Sequence, residues 1–407
     1  MFRPFVMSRV LGFLLSFSVL STSALDWPIY RGPDHNGVSR ETGWLSSWPA
    51  GGPKILWQGF VGVGFSSFAV ADGRGFTMGN EDEADTVYCF DVHTGKKLWS
   101  HSYDAELGPR FYDGGPGATP TVDGDRVYTI SKWGDVFCFA AASGEILWNR
   151  QLEAEEGAVV TDWGFSGAPF PDGKLLLLNV GKSGMALDKI NGKTVWKSAA
   201  GEAGYSTAYP HKFNGRDLFV FSSVNSYAGV NPQDGKVIWK APWLTRHGVN
   251  AADPIVVGNR LFVSSGYSKG SGMFKLQPDE PEEIWRQRKY RNQFNSSVLI
   301  DGHLYGFDGD NNSRAKLKCI KWESGEEVWS VDGVGFGSLM AADGKLIVLG
   351  PKGDLMVAPV STKGFEPVAK AKVIGGKCWT VPVLANGLIY CRNAEGDLVC
   401  VDVRAKK

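Results

Sequence analysis

The sequence predicts an all-β fold, a single eight-bladed β-propeller with four antiparallel strands per blade. The main observation is a short unit, a Gly turn followed by an apolar strand that carries Trp, as in FDVHTGKKLW. The unit returns as FAAASGEILW, LDKINGKTVW, VNPQDGKVIW and IKWESGEEVW. A repeat of about 45 residues that divides into four short alternating segments is typical of one propeller blade. The high glycine content, 52 of 407 residues, agrees with many tight turns.

Eight such units can be placed along the chain. We expect the blades to begin near Ser66, Gly117, Gly164, Tyr205, Val249, Phe294, Phe336 and Trp379. The eighth unit lacks its fourth strand, whereas the segment PKILWQ, around Trp57, precedes the first blade and has no unit of its own. We therefore predict that this N-terminal strand completes the last blade and closes the ring, because closure removes the exposed edges of an open sheet. The propeller would then comprise residues 54–407, preceded by an extension over 25–53.

The repeated turn predicts a structural role for its tryptophan. Gly supplies the positive φ at the hairpin corner, and the Asp, Asn or Ser before it bonds back to the turn backbone. The Trp on the outer strand can then lie against the neighbouring blade, where burial of each ring contributes at most roughly 4–6 kcal/mol. We expect this role for Trp57, Trp99, Trp148, Trp196, Trp239, Trp285 and Trp329.

The first 24 residues have the pattern of a secretory signal peptide. Arg3 and Arg9 precede an apolar run from Val10 to Leu20, and small residues follow up to Ala24. The run is too short to span a bilayer, and no Cys follows it that could carry a lipid anchor. A buried N-terminal helix is the alternative. The pattern favours a soluble protein that is periplasmic or secreted, and the predicted closure of the ring favours a monomer.

The charge balance indicates which partners to exclude. Lys plus Arg and Asp plus Glu both number 43, so the formal net charge is zero. No basic excess points to nucleic acid or to an anionic membrane surface.

Six cysteines in an exported chain raise the question of disulfides. Cys89, Cys138, Cys319 and Cys400 occupy equivalent places in four repeats, which favours buried small apolar residues. Cys391 differs, because IYCRNAEGDLVC is predicted to be a hairpin with a two-residue turn at Glu395 and Gly396. Pairing across that turn would place Cys391 opposite Cys400, within reach of a disulfide.

The repeat FDVHTGKKLW and its copies resemble the tryptophan-docking repeats of eight-bladed quinoprotein propellers, also called pyrroloquinoline-quinone-like repeats. The resemblance covers about residues 50–407. The segments DWPIYRGPDHNGVS and GKCWTVPVLANGLIYCRNAEGDLVCVDV are similar to a subgroup of exported, stand-alone propellers. The wider family includes quinone-dependent alcohol and sugar dehydrogenases and a non-catalytic factor for outer-membrane protein assembly. The resemblance therefore implies the fold and leaves function open.

Motifs for catalysis are few. In quinoprotein alcohol dehydrogenases a disulfide between adjacent Cys residues packs against the quinone, and a CxxCH haem segment passes electrons on. The sequence has neither an adjacent Cys pair nor a CxxCH segment. The DGDNN stretch from Asp308 resembles the opening of a calcium loop, but its twelfth position is Cys319 and supplies no bidentate carboxylate. NGKT at 191–194 belongs to the repeat turn, and no metal site is predicted. We expect no cofactor, with pyrroloquinoline quinone plus Ca²⁺ as the alternative.

The segments that precede the innermost strand of each blade form the candidate site. By analogy with the family they converge around one end of the channel, and they are rich in aromatic, Arg and amide side chains, which binding sites favour. The alternative is that the polar groups satisfy loop backbone and the aromatic rings fill the channel. The candidate ligand-binding residues are Arg110, Tyr112, Asp162, Trp163, Tyr205, Arg246, His247, Asn250, Asp253, Arg291, Asn292 and Trp379.

Two functions follow from these segments. The first is an exported, non-catalytic binding or assembly module for a protein, peptide or polymer in the cell envelope. The second is a quinoprotein oxidoreductase, with Asp253 as base or metal ligand and Asn250 as metal ligand. Arg110 and Arg291 would hold the carboxylates of the quinone, and Trp163 or Trp379 would stack on its ring. Glycan binding would use the same aromatic residues, although no pair of catalytic carboxylates is evident.

Overall fold

The computed structural model describes residues 25–110, 112–309 and 314–405. The predicted signal peptide, 1–24, lies outside these residues. The described chain forms eight sheets with four antiparallel strands each, one of which gains a short parallel fifth strand, and one short helix, Leu152–Glu156. This arrangement confirms the predicted all-β, eight-bladed propeller. Within the described ranges, no helix has the length and apolar character needed to cross a bilayer.

The first four blades use consecutive strands from the innermost to the outermost. Blade 1 contains Ala69–Ala71, Arg74–Glu81, Ala84–Asp91 and Lys97–Asp104. Blade 2 contains Thr121–Asp123, Arg126–Ile130, Asp135–Ala140 and Ile146–Gln151. Blade 3 contains Phe170–Asp172, Leu175–Leu178, Met185–Asp188 and Thr194–Lys197. Blade 4 contains Tyr209–Phe213, Arg216–Ser223, Ser226–Val230 and Val237–Pro242.

The remaining blades follow the same order up to the closing one. Blade 5 contains Ile255–Val257, Arg260–Ser265, Gly270–Lys275 and Glu282–Gln287. Blade 6 contains Val298–Ile300, His303–Asp308, Lys316–Lys321 and Glu327–Val331. Blade 7 contains Ser338–Ala342, Lys345–Leu349, Asp354–Pro359 and Ala369–Lys372, with Val38–Ser39 added parallel to its inner strand. Blade 8 contains Val383–Ala385, Leu388–Arg392, Asp397–Asp402 and, from the N-terminus, Lys54–Phe60.

The closing strand pairs as the sequence predicts. Lys54–Phe60 runs antiparallel to Asp397–Asp402, so an N-terminal strand and a C-terminal strand meet in one sheet. The apolar side chains of blade 8 form one buried cluster with those of blades 1 and 7. Ring closure is therefore completed by main-chain hydrogen bonds and by a shared core.

The outer strands share a bulge beside the repeated tryptophan. In blade 1, Cys89 pairs with Trp99 and Phe90 pairs with Lys97, so Leu98 is skipped. The Trp99 Nε1 donates to Ala141 O of blade 2 at 3.0 Å, and the ring lies over Gly144. Equivalent bonds to the following blade are made by the Nε1 atoms of Trp57, Trp148, Trp196 and Trp329.

Two tryptophans and one blade depart from this pattern. The indole nitrogens of Trp239 and Trp285 have no hydrogen-bond partner among the described residues, although Trp285 still lies over Gly325. The outer strand of blade 7 has neither Trp nor bulge. In the neighbouring blade 8, the third strand is C-terminal and the fourth is N-terminal, so no hairpin turn connects them. Blade 8 therefore has no turn glycine that a tryptophan of blade 7 could cover.

Residues 25–39, here called the floor segment, cross one end of the channel. Trp27 exchanges two backbone hydrogen bonds with Val70 of blade 1, and Pro28 O accepts from Val122 N of blade 2. On the far side, Arg31 Nη2 donates to Ser297 O of blade 6 at 2.8 Å. Val38–Ser39 then pairs with the inner strand of blade 7. Because the segment contacts blades on both sides of the ring, it closes the channel at the end where the inner strands finish.

The predicted Cys391–Cys400 disulfide is not formed, and both thiols are free. Cys391 pairs with Val399 whereas Cys400 pairs with Tyr390, so the two side chains point to opposite faces of the sheet. The cause is a turn of three residues instead of two. Asn393 Oδ1 accepts from the backbone N of Gly396 and of Asp397, both at 2.8 Å, which shifts the register by one residue.

The contact between glycine turn and tryptophan can be tested with two matched substitutions. Gly144→Ala places a Cβ 2.6 Å from the Trp99 ring at φ +76°, whereas Gly124→Ala, at φ +60°, meets no atom within 4 Å. Both variants carry the cost of a left-handed alanine, about 1–2 kcal/mol. We expect Gly144→Ala to lose a further 1–3 kcal/mol or so, because the ring must move. Denaturant unfolding measures both, and equal losses would contradict a structural role for the stacked indole.

Candidate functional site

The channel opens at the end opposite the floor segment into a cavity of about 300 Å³, here called the funnel. Its walls come from the residues that precede the inner strands, as the sequence predicts, and its floor includes Tyr30. The lining residues are Tyr30, Phe65, Ser67, Tyr112, Gly117, Thr119, Trp163, Ser166, Tyr205, Thr207, Val249, Ala251, Asp253, Tyr267, Gln293, Phe294, Asn295, Trp379, Thr380 and Val381.

Aromatic rings occupy two opposite sides of the funnel. Trp163 and Tyr205, which precede blades 3 and 4, meet edge to face with ring centroids 5.9 Å apart. Across the channel, Trp379 lies 5.8 Å from Phe65 and 5.2 Å from Phe294. Such pairs fix ring orientation through packing. The funnel therefore presents two groups of aromatic rings to anything that enters it.

Below the rings, polar side chains link neighbouring blades. Thr119 Oγ1 accepts from Ser67 N, and Thr207 Oγ1 accepts from Ala168 N, both at 3.1 Å. In the next blade the same place is taken by Asp253, whose Oδ1 accepts from Thr207 N at 2.8 Å. Asp253 is thus a carboxylate at a position where neighbouring blades use a hydroxyl. One of its oxygens suffices for the link between blades.

The second oxygen of Asp253 faces the floor segment. Its Oδ2 lies 4.0 Å from Arg31 Nε, and both side chains are almost completely buried. The Arg31 guanidinium donates its hydrogen bonds to carbonyls instead, at His35, Asn36 and Ser297. Arg31 therefore compensates the charge of Asp253 without using the lone pairs of Oδ2. Burial raises the pKa of Asp253 to about 6, and Arg31 and the Thr207 amide limit the rise.

Five of the predicted site residues line the funnel: Tyr112, Trp163, Tyr205, Asp253 and Trp379. Four others lie on the rim. Arg110 and Asp162 form an exposed ion pair of 2.6 Å, and the His247 ring packs against Tyr267 with 4.8 Å between centroids. Arg246 is exposed.

The remaining three predicted residues have structural contacts. Asn250 is fully buried and donates to Ser223 O and Trp243 O. The Asn292 amide donates to Phe307 O and accepts from Ser297 Oγ. Arg291 Nε donates to Asp308 Oδ1 at 2.8 Å. For these residues the alternative holds, because their polar groups satisfy backbone or a buried charge away from the funnel.

Three funnel residues among those described, Tyr30, Phe65 and Ser166, were not singled out from the sequence, whereas Gln293 and Asn295 lie in a mouth segment that was. Phe65 and Ser166 each lie four residues before an inner strand, the same signal that identified the others. Tyr30 gives no such signal, because it reaches the funnel only through the long-range contacts of the floor segment.

The funnel does not suit a quinone with several carboxylates and a calcium ion. Among the described residues that line it, none is Lys or Arg, and Asp253 is the only one with a carboxylate. Asn250, the other expected metal ligand, uses its amide on protein atoms. Within the described ranges, no group of three or more His, Cys, Asp or Glu side chains could hold a metal ion. The residues present therefore fail to match the cofactor that the alternative function requires.

Asp308, the first residue of the calcium-like stretch, is also engaged. Its Oδ1 accepts from Arg291, and its Oδ2 lies 3.0 Å from Lys318 Nζ. Both oxygens thus serve a buried ion-pair network in blade 6. Residues 310–313 of the stretch lie outside the described residues.

The carboxylate of Asp253 predicts a pH effect on stability. Its folded pKa of about 6 exceeds the unfolded value of about 3.9, so the buried charge costs stability above pH 6, and this cost disappears as the pH falls towards 4. Arg31, Tyr30, Tyr209 and Tyr227 are the other titratable groups around it.

The quantity of interest is the free energy of unfolding of Asp253→Asn minus that of the native protein. We expect this difference to be larger at pH 7.5 than at pH 4.5, by on the order of 2 kcal/mol. Asn retains the oxygen that accepts from Thr207. Denaturant unfolding at both pH values measures this difference. It is preferable to either protein alone, because burial lowers the pKa values of His35 and His211, and these two groups make both proteins more stable as the pH rises. A difference independent of pH would contradict a buried, ionised Asp253.

Comparison with solved structures shows the same fold at low identity. BamB from Moraxella catarrhalis matches with a TM-score of 0.61 and 12% identity, covering 87% of this chain and 98% of that one. A quinohemoprotein alcohol dehydrogenase from Comamonas testosteroni matches with a TM-score of 0.65 and 13% identity, covering 94% and 81%. A europium-containing methanol dehydrogenase gives 0.67 and 12%, covering 92% and 89%. A search of curated protein sequences finds no match.

The family model gives a more specific result. The model described as outer membrane protein assembly factor BamB matches residues 83–331, more than half of the chain. The matched region includes the third strand of blade 1 and continues through blade 6. The chain therefore belongs to the PQQ-like propeller family that is described as outer membrane protein assembly factor BamB.

Proposed function

We propose that this protein is an exported, non-catalytic binding module that engages a protein or polymer partner of the cell envelope at the mouth of its channel. The observation that carries the proposal is the funnel, which is closed at its floor and open at its mouth. A channel closed at one end offers one entrance, and its aromatic walls supply the type of surface on which binding energy concentrates. Membership in the BamB family supports an assembly or binding role, and the signal peptide pattern supports export to the periplasm.

The rim supports recognition of a larger partner around the funnel. Leu244 is 65% exposed, and Arg246 beside it makes no hydrogen bond or ion pair among the described residues. His247 and the exposed Arg110–Asp162 pair lie on the same rim. Exposed apolar and Arg side chains next to a concave aromatic site are typical of interfaces. The quinoprotein alternative has weaker support. Asp253, Trp163 and Trp379 do line the funnel, but Asn250 uses its amide on protein atoms and Arg291 pairs with Asp308.

Site-specific photocrosslinking in the cell envelope tests the proposal. A crosslinking residue at Leu244 lies on the rim, whereas one at Val257, which is 50% exposed, lies at the floor end of the same channel wall. We expect a defined crosslinked partner from position 244 and none from position 257. We also expect Arg246→Ala to weaken the crosslink without changing the melting temperature.

Identical crosslinks from both positions, or crosslinks from position 257 alone, would contradict binding at the mouth.

A further inference from the structure

The charge of the funnel restricts what can enter it. Anions meet no Lys or Arg among the described lining residues, and they would approach the Asp253 carboxylate. Cations meet a carboxylate whose charge is already compensated by Arg31, with Nε 4.0 Å from Oδ2. A second cation at Oδ2 would lie close to this guanidinium, which costs free energy in a buried site. The lining therefore favours an uncharged ligand.

Two lysines near the rim do not change this balance. Lys377 lies 4.8 Å from the Trp379 ring, but it forms an ion pair of 2.6 Å with Asp113. Lys132 lies 4.9 Å from the Tyr112 ring and donates to Gly108 O. Neither lysine belongs to the lining of the funnel.

The polar atoms of the funnel retain unused hydrogen-bonding capacity. Ser166 Oγ makes no hydrogen bond within the described chain, and Asp253 Oδ2 and Asn295 Oδ1 accept none there. Thr119 and Thr207 accept through Oγ1, which leaves each hydroxyl hydrogen free to donate. The wall thus offers both donors and acceptors, and a ligand that matched them would leave few buried polar groups unpaired.

A sugar ring combines the features that this lining requires. It is uncharged, its C–H faces can pack on aromatic rings, and its hydroxyl groups both donate and accept around its edge. In the funnel, Trp163 and Tyr205 face Phe65 and Trp379 across the channel, above the polar atoms of Ser166 and the other wall residues. A cavity of about 300 Å³ is at the small end of ligand sites, which limits the enclosed part to about one ring.

We propose that the funnel binds a neutral sugar ring, either as a free saccharide or as the end of an envelope glycan. This inference rests on the proposed function, because it names the chemical class of the partner that reaches the mouth. Asp253 Oδ2 and Asn295 Oδ1 accept hydrogen bonds from sugar hydroxyls, and the Ser and Thr hydroxyls donate to them. The two groups of aromatic rings pack on the faces of the sugar.

A panel of matched methyl glycosides tests the charge argument. The neutral members are the methyl glycosides of glucose, galactose, mannose and N-acetylglucosamine. The charged members are, for each of the gluco, galacto and manno configurations, the methyl uronide and the methyl 2-amino-2-deoxyglycoside. Binding is followed by Trp fluorescence and by ligand-observed NMR on the mature protein. We expect at least one neutral glycoside to bind saturably, and its negative and positive counterparts to bind at least about tenfold more weakly. Adding a neutral oligosaccharide of the same sugar distinguishes a glycan end from a free saccharide by its tighter binding.

Two serine substitutions provide a matched test of the site. Ser166→Ala removes a hydroxyl that has no hydrogen-bond partner among the described residues, so folding should be unaffected while sugar affinity falls about three- to tenfold. Ser47→Ala is the control, because Ser47 is exposed, belongs to the N-terminal extension and likewise makes no hydrogen bond among the described residues. We expect it to leave both affinity and melting temperature unchanged.

Three results would overturn the inference: no binding of any neutral glycoside, equal binding of a charged counterpart, or an unchanged affinity in Ser166→Ala. A fourth result would also overturn the sugar inference: position 244 crosslinks to a protein, and neutral glycosides do not reduce that crosslink. This result would leave the proposed function intact. Loss of the crosslink at position 244 in the presence of the bound glycoside would support both.

Discussion

Joining the two ends of a single chain is the constraint on which the rest of this structure depends. The strand Lys54–Phe60 completes blade 8 beside Asp397–Asp402, so the ring is closed by an ordinary antiparallel ladder. The residues before that strand then have to pass across the propeller. They do so as the floor segment, which contacts inner strands on both sides of the channel. Ring closure and a channel with one entrance thus arise from the same N-terminal stretch.

The floor segment also sets the electrostatics of the funnel. Arg31 adopts a left-handed backbone conformation, φ 65°, and its guanidinium is held by three carbonyl groups. This places a positive charge beside Asp253 without covering the carboxylate oxygens. A buried carboxylate alone would attract cations, and Arg31 alone would attract anions. Together they give a nearly neutral, polar floor beneath aromatic walls, and our proposal of an uncharged, hydroxyl-rich ligand rests on this arrangement.

The blades could be predicted from the sequence, because each repeat carries its own turn glycine and tryptophan. Contacts that join distant segments could not. The role of Tyr30 and Arg31 depends on blades that lie more than 200 residues further along the chain. Asn250 and Asn292 occur in the expected mouth segments, but a local sequence does not show whether an amide faces the channel or its own backbone. The predicted pairing of Cys391 with Cys400 was wrong for a similar reason, since the Asn393 side chain determines the length of the turn.

Hydrogen exchange at the backbone amide of Trp27 tests the central claim most directly. This amide donates to Val70 O at 2.8 Å, and Val70 N donates back to Trp27 O. If residues 25–39 close the channel as part of the ring, the Trp27 amide should exchange as slowly as the Val70 amide, through opening of the propeller itself. Exchange of Trp27 at the rate of an unstructured peptide, with Val70 still protected, would show a loose N-terminal tail and an open channel. The floor of the funnel, and the ligand chemistry inferred from it, would then be wrong.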